Sequence, residues 1–91
     1  MSSLVFTECV PPDEMAARLC DHYGFSDSFC ESLAAFLGQA PTTCIDDYAS
    51  MIARRLGFRL PQAYMFLECE WPVSLVGDFE QQVLTLRGCI R

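Results

Sequence analysis

The amino-acid sequence predicts an all-α protein, a small bundle of four to five helices in a single domain spanning 1–91. Three observations predict it. Apolar residues recur three and four positions apart in successive segments, the spacing of one helix face. Prolines stand where helices start, and Gly-Phe pairs (Gly24-Phe25, Gly57-Phe58) stand where they end. Finally, 91 residues with 52% apolar content make one core that needs no metal or disulfide staple.

The elements follow in order. Residues 1–11 form an extended lead-in, with a short strand as the alternative for Leu-Val-Phe-Thr-Glu-Cys-Val at 4–10. Pro11-Pro12 stops any strand and places a proline in the first helical turn, followed by Asp13 and Glu14, whose carboxylates suit a helix N-terminus. Met15, Leu19 and Tyr23 then make an apolar stripe, giving a helix over about 12–23 closed by Gly24. Ser28 to Glu31 has the spacing of a capping box, and Phe29, Leu33, Phe36 and Leu37 share a face, giving a second helix over about 27–37. Gln39-Ala40-Pro41 is a loop.

A third helix, about 43–56, is capped by Thr42 or Thr43 and striped by Ile45, Tyr48, Ile52 and Leu56, with Arg54 and Arg55 complementing the dipole of its last turn. Leu60-Pro61 opens a fourth element running to Trp71. Leu60, Tyr64, Leu67 and Trp71 suit a helix, whereas Met65, Leu67, Cys69 and Trp71 suit a strand; the proline in the first turn favours the helix. A last helix starts near Val73 or Asp78 and carries Val76, Phe79, Val83 and Leu86.

Charge narrows the function classes. The net charge is −6, and the first fifty residues hold eight acids against one arginine. Direct binding to nucleic acid or an anionic membrane needs a basic face, so neither is expected. An acidic surface instead keeps a small protein in solution or steers it to a basic patch on a partner protein. No apolar run reaches the ~20 residues of a membrane span, and Met1-Ser2-Ser3-Leu4 does not start a secretory signal, so a cytoplasmic location is expected. The sequence has no lysine and no asparagine, both encoded by AT-rich codons, which points to a GC-rich and therefore bacterial source.

The six cysteines, at 9, 20, 30, 44, 69 and 89, have no two-residue spacing of the zinc or redox kind. Four of the six sit within apolar or helical patterns, where free cysteine behaves as a small hydrophobe, so core cysteines are expected. With His22 as the one histidine, neither a metal site nor a Cys/His catalytic pair is expected, and no nucleophile–base pair or phosphate loop marks an enzyme.

Four short motifs, in order, resemble the acyl and peptidyl carrier protein family over some 50 residues. Ser32-Leu33-Ala34-Ala35-Phe36-Leu37-Gly38 is similar to the end of that family's first loop, just before its carrier serine. Ala53-Arg54-Arg55-Leu56-Gly57-Phe58-Arg59-Leu60-Pro61 is similar to the end of its second helix and the turn beyond. Phe66 stands where carrier domains of polyketide assembly lines often have phenylalanine, and Ser74-Leu75-Val76-Gly77-Asp78-Phe79 resembles the opening of the last helix. The resemblance implies an acyl-carrier-like bundle, a 4'-phosphopantetheine arm on a serine at the start of the second carrier helix, and docking through acids of that helix. The helix N-terminus suits a phosphodiester through its unpaired N–H groups.

By the family's spacing, however, the attachment position falls on Thr42, and Pro41 replaces the usual aspartate. The junction after Gly38 is one residue longer, the segment from Gly24 to Gly38 reads as a helix, and about three residues including Glu68-Cys69-Glu70 are added before Pro72. A threonine hydroxyl is secondary and sits on a branched carbon. The expected function is therefore a non-catalytic docking or regulatory protein of a fatty-acid, polyketide or related thioester pathway. It would carry no arm and would present Thr43, Asp46 and Asp47 to a basic partner. Two alternatives stand beside it: a working carrier modified at Thr42, and an acidic inhibitor of phage or mobile-element type that occupies the groove of a nucleic-acid-binding protein.

Overall fold

A computed structural model describes the backbone of residues 9–89 and side chains as far as Arg87. Its elements are helices α1 (Pro12–Tyr23), α2 (Asp27–Leu37), α3 (Ile45–Leu56), α4 (Leu60–Leu67) and α5 (Val76–Cys89), with a 3-10 turn, Val73–Leu75, before α5. The all-α bundle expected from the periodicity is what forms. α1 packs on α2, α3 packs on α4, and α5 lies against both α2 and α3. Among the described residues, no helix is long and apolar enough to cross a membrane.

Most of the apolar stripes face inward as their spacing predicts. Met15, Leu19, Leu33, Phe36, Leu37, Tyr48, Ile52, Phe79 and Val83 are all fully buried. Gly24 (φ 79°) and Gly57 (φ 78°) end α1 and α3 in the left-handed conformation, which costs a residue with a Cβ roughly 1–2 kcal/mol. α4 ends on the same device without glycine: Cys69 N–H bonds to Phe66 O and Glu70 N–H to Met65 O, with Cys69 itself at φ 64°.

The starts of the helices differ from the sequence reading. α2 is capped by Ser26, whose hydroxyl accepts from Phe29 N–H at 3.2 Å, and not by the Ser28–Glu31 pair. α3 begins at Ile45, two residues later than expected, because neither Thr42 nor Thr43 takes the cap position. α4 stops at Leu67, so Trp71 lies beyond the helix. Its buried face is Ala63, Phe66 and Leu67, which leaves Leu60 exposed and Tyr64 half-buried. Val73 opens the 3-10 turn and Asp78 lies inside α5, so the last element has two parts.

One aromatic cluster accounts for the rotation of α4. Phe66 stacks on Phe79 with centroids 3.8 Å apart and on Tyr23 at 5.0 Å, and meets Trp71 edge-on at 5.2 Å. Phe58 stacks on Phe79 at 5.9 Å, and Phe25 meets Phe29 edge-on at 4.5 Å. Tyr23 and Phe79 from two other helices and Phe25 and Trp71 from two turns thus converge on Phe66, and such pairs are worth about 0.5–1.5 kcal/mol each beyond area burial. Tyr23 adds a polar clasp, donating its hydroxyl to Phe66 O (2.8 Å) and accepting from Trp71 N–H (3.3 Å).

Of the predicted lead-in, residues 1–8 lie outside the described part. Cys9 forms an isolated antiparallel bridge with Cys44, and Val10 is buried.

Candidate functional site

The positions singled out by the sequence come together where the lead-in meets the start of α3. The backbone turns through Pro41–Thr43 and enters the helix at Cys44, the N-cap residue, whose side chain makes no capping bond. Thr42 supplies the polar termination from two residues upstream. Its hydroxyl oxygen accepts from Cys44 N–H at 3.1 Å, and its proton is donated to the Asp47 carboxylate. A residue in this position satisfies groups that a helix start otherwise leaves open.

Thr43 uses its backbone. Its carbonyl accepts from Val10 N–H at 3.0 Å, while the Tyr48 hydroxyl, buried one turn into α3, donates to Val10 O. Asp46 points the other way, accepting from the Tyr64 hydroxyl on α4. The structure therefore brings Thr42 and Asp47 into direct contact. It places Thr43 beside them on the lead-in and ties Asp46 to α4 instead.

The electrostatics follow the helix. Asp46 and Asp47 lie in the first turn of α3, and Arg54 and Arg55 in its last, each charge at the pole the macrodipole favours. The hydrogen bond to Asp46 raises the Tyr64 hydroxyl above the ordinary tyrosine range, and burial adds to the rise. Burial likewise raises Tyr48. Thr42, Thr43 and Asp46 are exposed and Asp47 is half-buried.

An apolar margin adjoins the acids. Leu60 (44% exposed) precedes Tyr64 by one turn on the same face of α4, and Met65 (37% exposed) follows it. The sequence reading put Leu60 on a helical stripe with Tyr64, Leu67 and Trp71. The contact between Asp46 and Tyr64, which brings this margin to the start of α3, has no signature in either segment alone.

The remaining polar candidates lie elsewhere. His22 is exposed near the end of α1, its ring edge-on to Tyr23 at 4.8 Å. Cys20 is buried on α1, and burial together with the hydrogen bond its thiol shares with Cys30 pushes that thiol up to about 12. The expectation of core cysteines fits Cys20. Cys30 and Cys69 are half-buried and pack against the core, whereas Cys44 is half-buried and Cys9 exposed. Among the described residues, no group of three His, Cys, Asp or Glu side chains is placed to share a metal ion.

Comparison with protein-family models, with curated proteins and with solved structures returns no match to this chain.

Proposed function

We propose that this chain is a non-catalytic docking protein of the acyl-carrier type, without a phosphopantetheine arm. Its partner is a protein with a basic patch, contacted by the acidic start of α3. One observation supports the reading above the others: the Thr42 hydroxyl, at the attachment position implied by the resemblance, already donates to Asp47 and accepts from Cys44 N–H. To be esterified by a phosphopantetheinyl group it would have to give up the bond it donates, leaving Asp47 with one partner fewer. The Thr42 hydroxyl holds the Asp47 carboxylate, and the Tyr64 hydroxyl holds that of Asp46.

The exposed Leu60 and Met65 add apolar area beside Asp46, and interfaces commonly combine an apolar centre with a charged margin. A charged margin governs encounter and specificity more than affinity. The reading therefore expects binding that is fast, modest in strength and weakened by salt.

The test is titration of the chain into an enzyme that acts on carrier proteins, a phosphopantetheinyl transferase being the accessible case, at low and at physiological salt. The account expects saturable binding at low salt. It further expects Asp46→Asn to weaken that binding about two- to fivefold, the scale of one exposed ion pair. Binding that ignores both salt and Asp46→Asn would contradict this use of the α3 start.

A further inference from the structure

We propose that Cys9 and Cys44 form an oxidisable dithiol that exchanges with small-molecule disulfides of the glutathione class, closing an intramolecular disulfide that latches the lead-in onto the start of α3. The inference rests on geometry and holds whatever the chain binds.

The two Sγ atoms are 3.2 Å apart, and the residues face each other across an antiparallel bridge. The adjoining hydrogen bond, from Val10 N–H to Thr43 O, identifies Cys9 and Cys44 as a non-hydrogen-bonded pair, the closer of the two antiparallel kinds. Such pairs have Cα atoms about 4.5 Å apart, inside the ~4.4–6.8 Å range that a disulfide spans. The sulfurs need approach by only about 1 Å to reach bonding distance, ~2.05 Å. The backbone on both sides is held in place: Val10 is buried, its N–H is bonded to Thr43 and its carbonyl accepts from Tyr48. The two thiols therefore meet at high effective concentration.

Access separates this pair from the buried Cys20. Cys9 is exposed and Cys44 half-buried, so a small disulfide reaches Cys9 from solvent. Cys20, which contacts Cys30, is buried, and its raised thiol stays protonated at neutral pH, whereas exchange requires a thiolate.

In the first step the Cys9 thiolate attacks one sulfur of glutathione disulfide, forming a mixed disulfide and releasing one glutathione thiolate. The Cys44 thiolate then attacks the Cys9 sulfur, forming the intramolecular bond and expelling the second glutathione thiolate. The two cysteines together give up two electrons and two protons, and one glutathione disulfide becomes two glutathione thiols. The product closes a loop of about 35 residues that contains α1 and α2. Loops of that size restrict the unfolded chain strongly, so the oxidised form is expected to melt about 10 °C or more above the reduced one.

The experiment exposes the reduced full chain to glutathione disulfide at mildly alkaline pH, follows intact mass, maps the linkage after trypsin and compares melting of the two forms. The expected product has lost two hydrogens and carries no glutathione. Its peptides 1–18 and 19–54 are joined, fragmentation places the bond between Cys9 and Cys44, and its melting temperature is raised. Cys9→Ser and Cys44→Ser should each stop at a persistent glutathione adduct, whereas Cys30→Ser should still close. The wild-type map decides the matter even where a variant folds poorly. A bond to Cys20 or Cys30, adducts that never resolve, a disulfide-linked dimer, or no reaction while a small control thiol is oxidised would each overturn the proposal.

Discussion

Replacing Tyr23 with phenylalanine isolates the clasp that joins the end of α1 to the end of α4. The ring is kept, so its stacking on Phe66 at 5.0 Å and its contact with Phe25 at 5.6 Å persist. What goes is a hydroxyl that donates to Phe66 O at 2.8 Å and accepts from Trp71 N–H at 3.3 Å. The first bond is short and its loss should cost about 1 kcal/mol; the second is long and sits nearer ~0.5 kcal/mol. Phe66 O keeps Cys69 N–H as a donor, but Trp71 N–H loses the acceptor that Tyr23 provides, which moves the sum towards about 2 kcal/mol. For a domain of this size that lowers the melting temperature by roughly 10 °C.

Urea titration measures the effect directly, because Trp71 is the sole tryptophan and is buried in the aromatic cluster. Its fluorescence and the far-UV dichroism should give one coincident transition, with a lower midpoint and an unchanged slope. Tyr23→Leu, which also removes the ring contacts, should cost at least ~1 kcal/mol more. A loss below ~0.5 kcal/mol for Tyr23→Phe, measured at unchanged slope, would refute the claim that the hydroxyl is a structural clasp.

Three further predictions use other parts of the fold. Gly77 lies in α5 with open space around its missing Cβ, so Gly77→Ala should stabilise by about 0.5–1 kcal/mol; Gly57→Ala, at φ 78°, should destabilise by about 1 kcal/mol; equal signs in parallel urea titrations would contradict the backbone argument. Trp71 Nε1 is buried with no hydrogen-bond partner among the described residues, so Trp71→Phe loses no such bond there and should cost clearly less than the ~3–5 kcal/mol of Trp71→Ala in thermal melts followed by dichroism; similar costs would argue that the indole N–H matters. Burial raises the Cys20 thiol, to about 12, as well as Cys69, Tyr23 and Tyr48. The unfolded chain therefore releases these protons first, and stability should be level below pH 9.0 and fall as the pH rises towards about 12; urea midpoints that stay flat from pH 8 to 11 would refute it.

How much of this was legible depends on whether the information is local. Helix bodies and ends were, because the 3.6-residue period and the Gly24-Phe25 and Gly57-Phe58 endings are written within each segment. Helix starts were less so: Ser26 and Ser28 offer the same chemistry two residues apart, and only the folded chain turns Ser26 towards Phe29 N–H. The buried face of α4 was misjudged because Phe66 answers to Tyr23, Trp71 and Phe79, distant in sequence, and not to Leu60 on its own helix. At the candidate site, the acids of the first turn of α3 were visible from their place after a loop. The ties from Asp46 to Tyr64 and from Val10 to Tyr48 were not, since no spacing rule encodes contacts across that much chain. The same holds for Cys9 and Cys44, 35 residues apart, which meet only because the lead-in pairs with the entry to α3.

The central claim, a carrier-like docking face that holds no arm, meets its most direct test in one mass measurement. The chain and its Thr42→Ser variant are each incubated with coenzyme A and a broad-specificity phosphopantetheinyl transferase, and their intact masses are compared. The account predicts that the wild type stays unmodified, its Thr42 hydroxyl engaged by Asp47 and Cys44 N–H, while Thr42→Ser gains one phosphopantetheine. A wild type that gains an arm, with Thr42→Ala failing to do so, would contradict the account and make the protein a working carrier. If neither form is loaded, the carrier-like reading of the α3 start is contradicted.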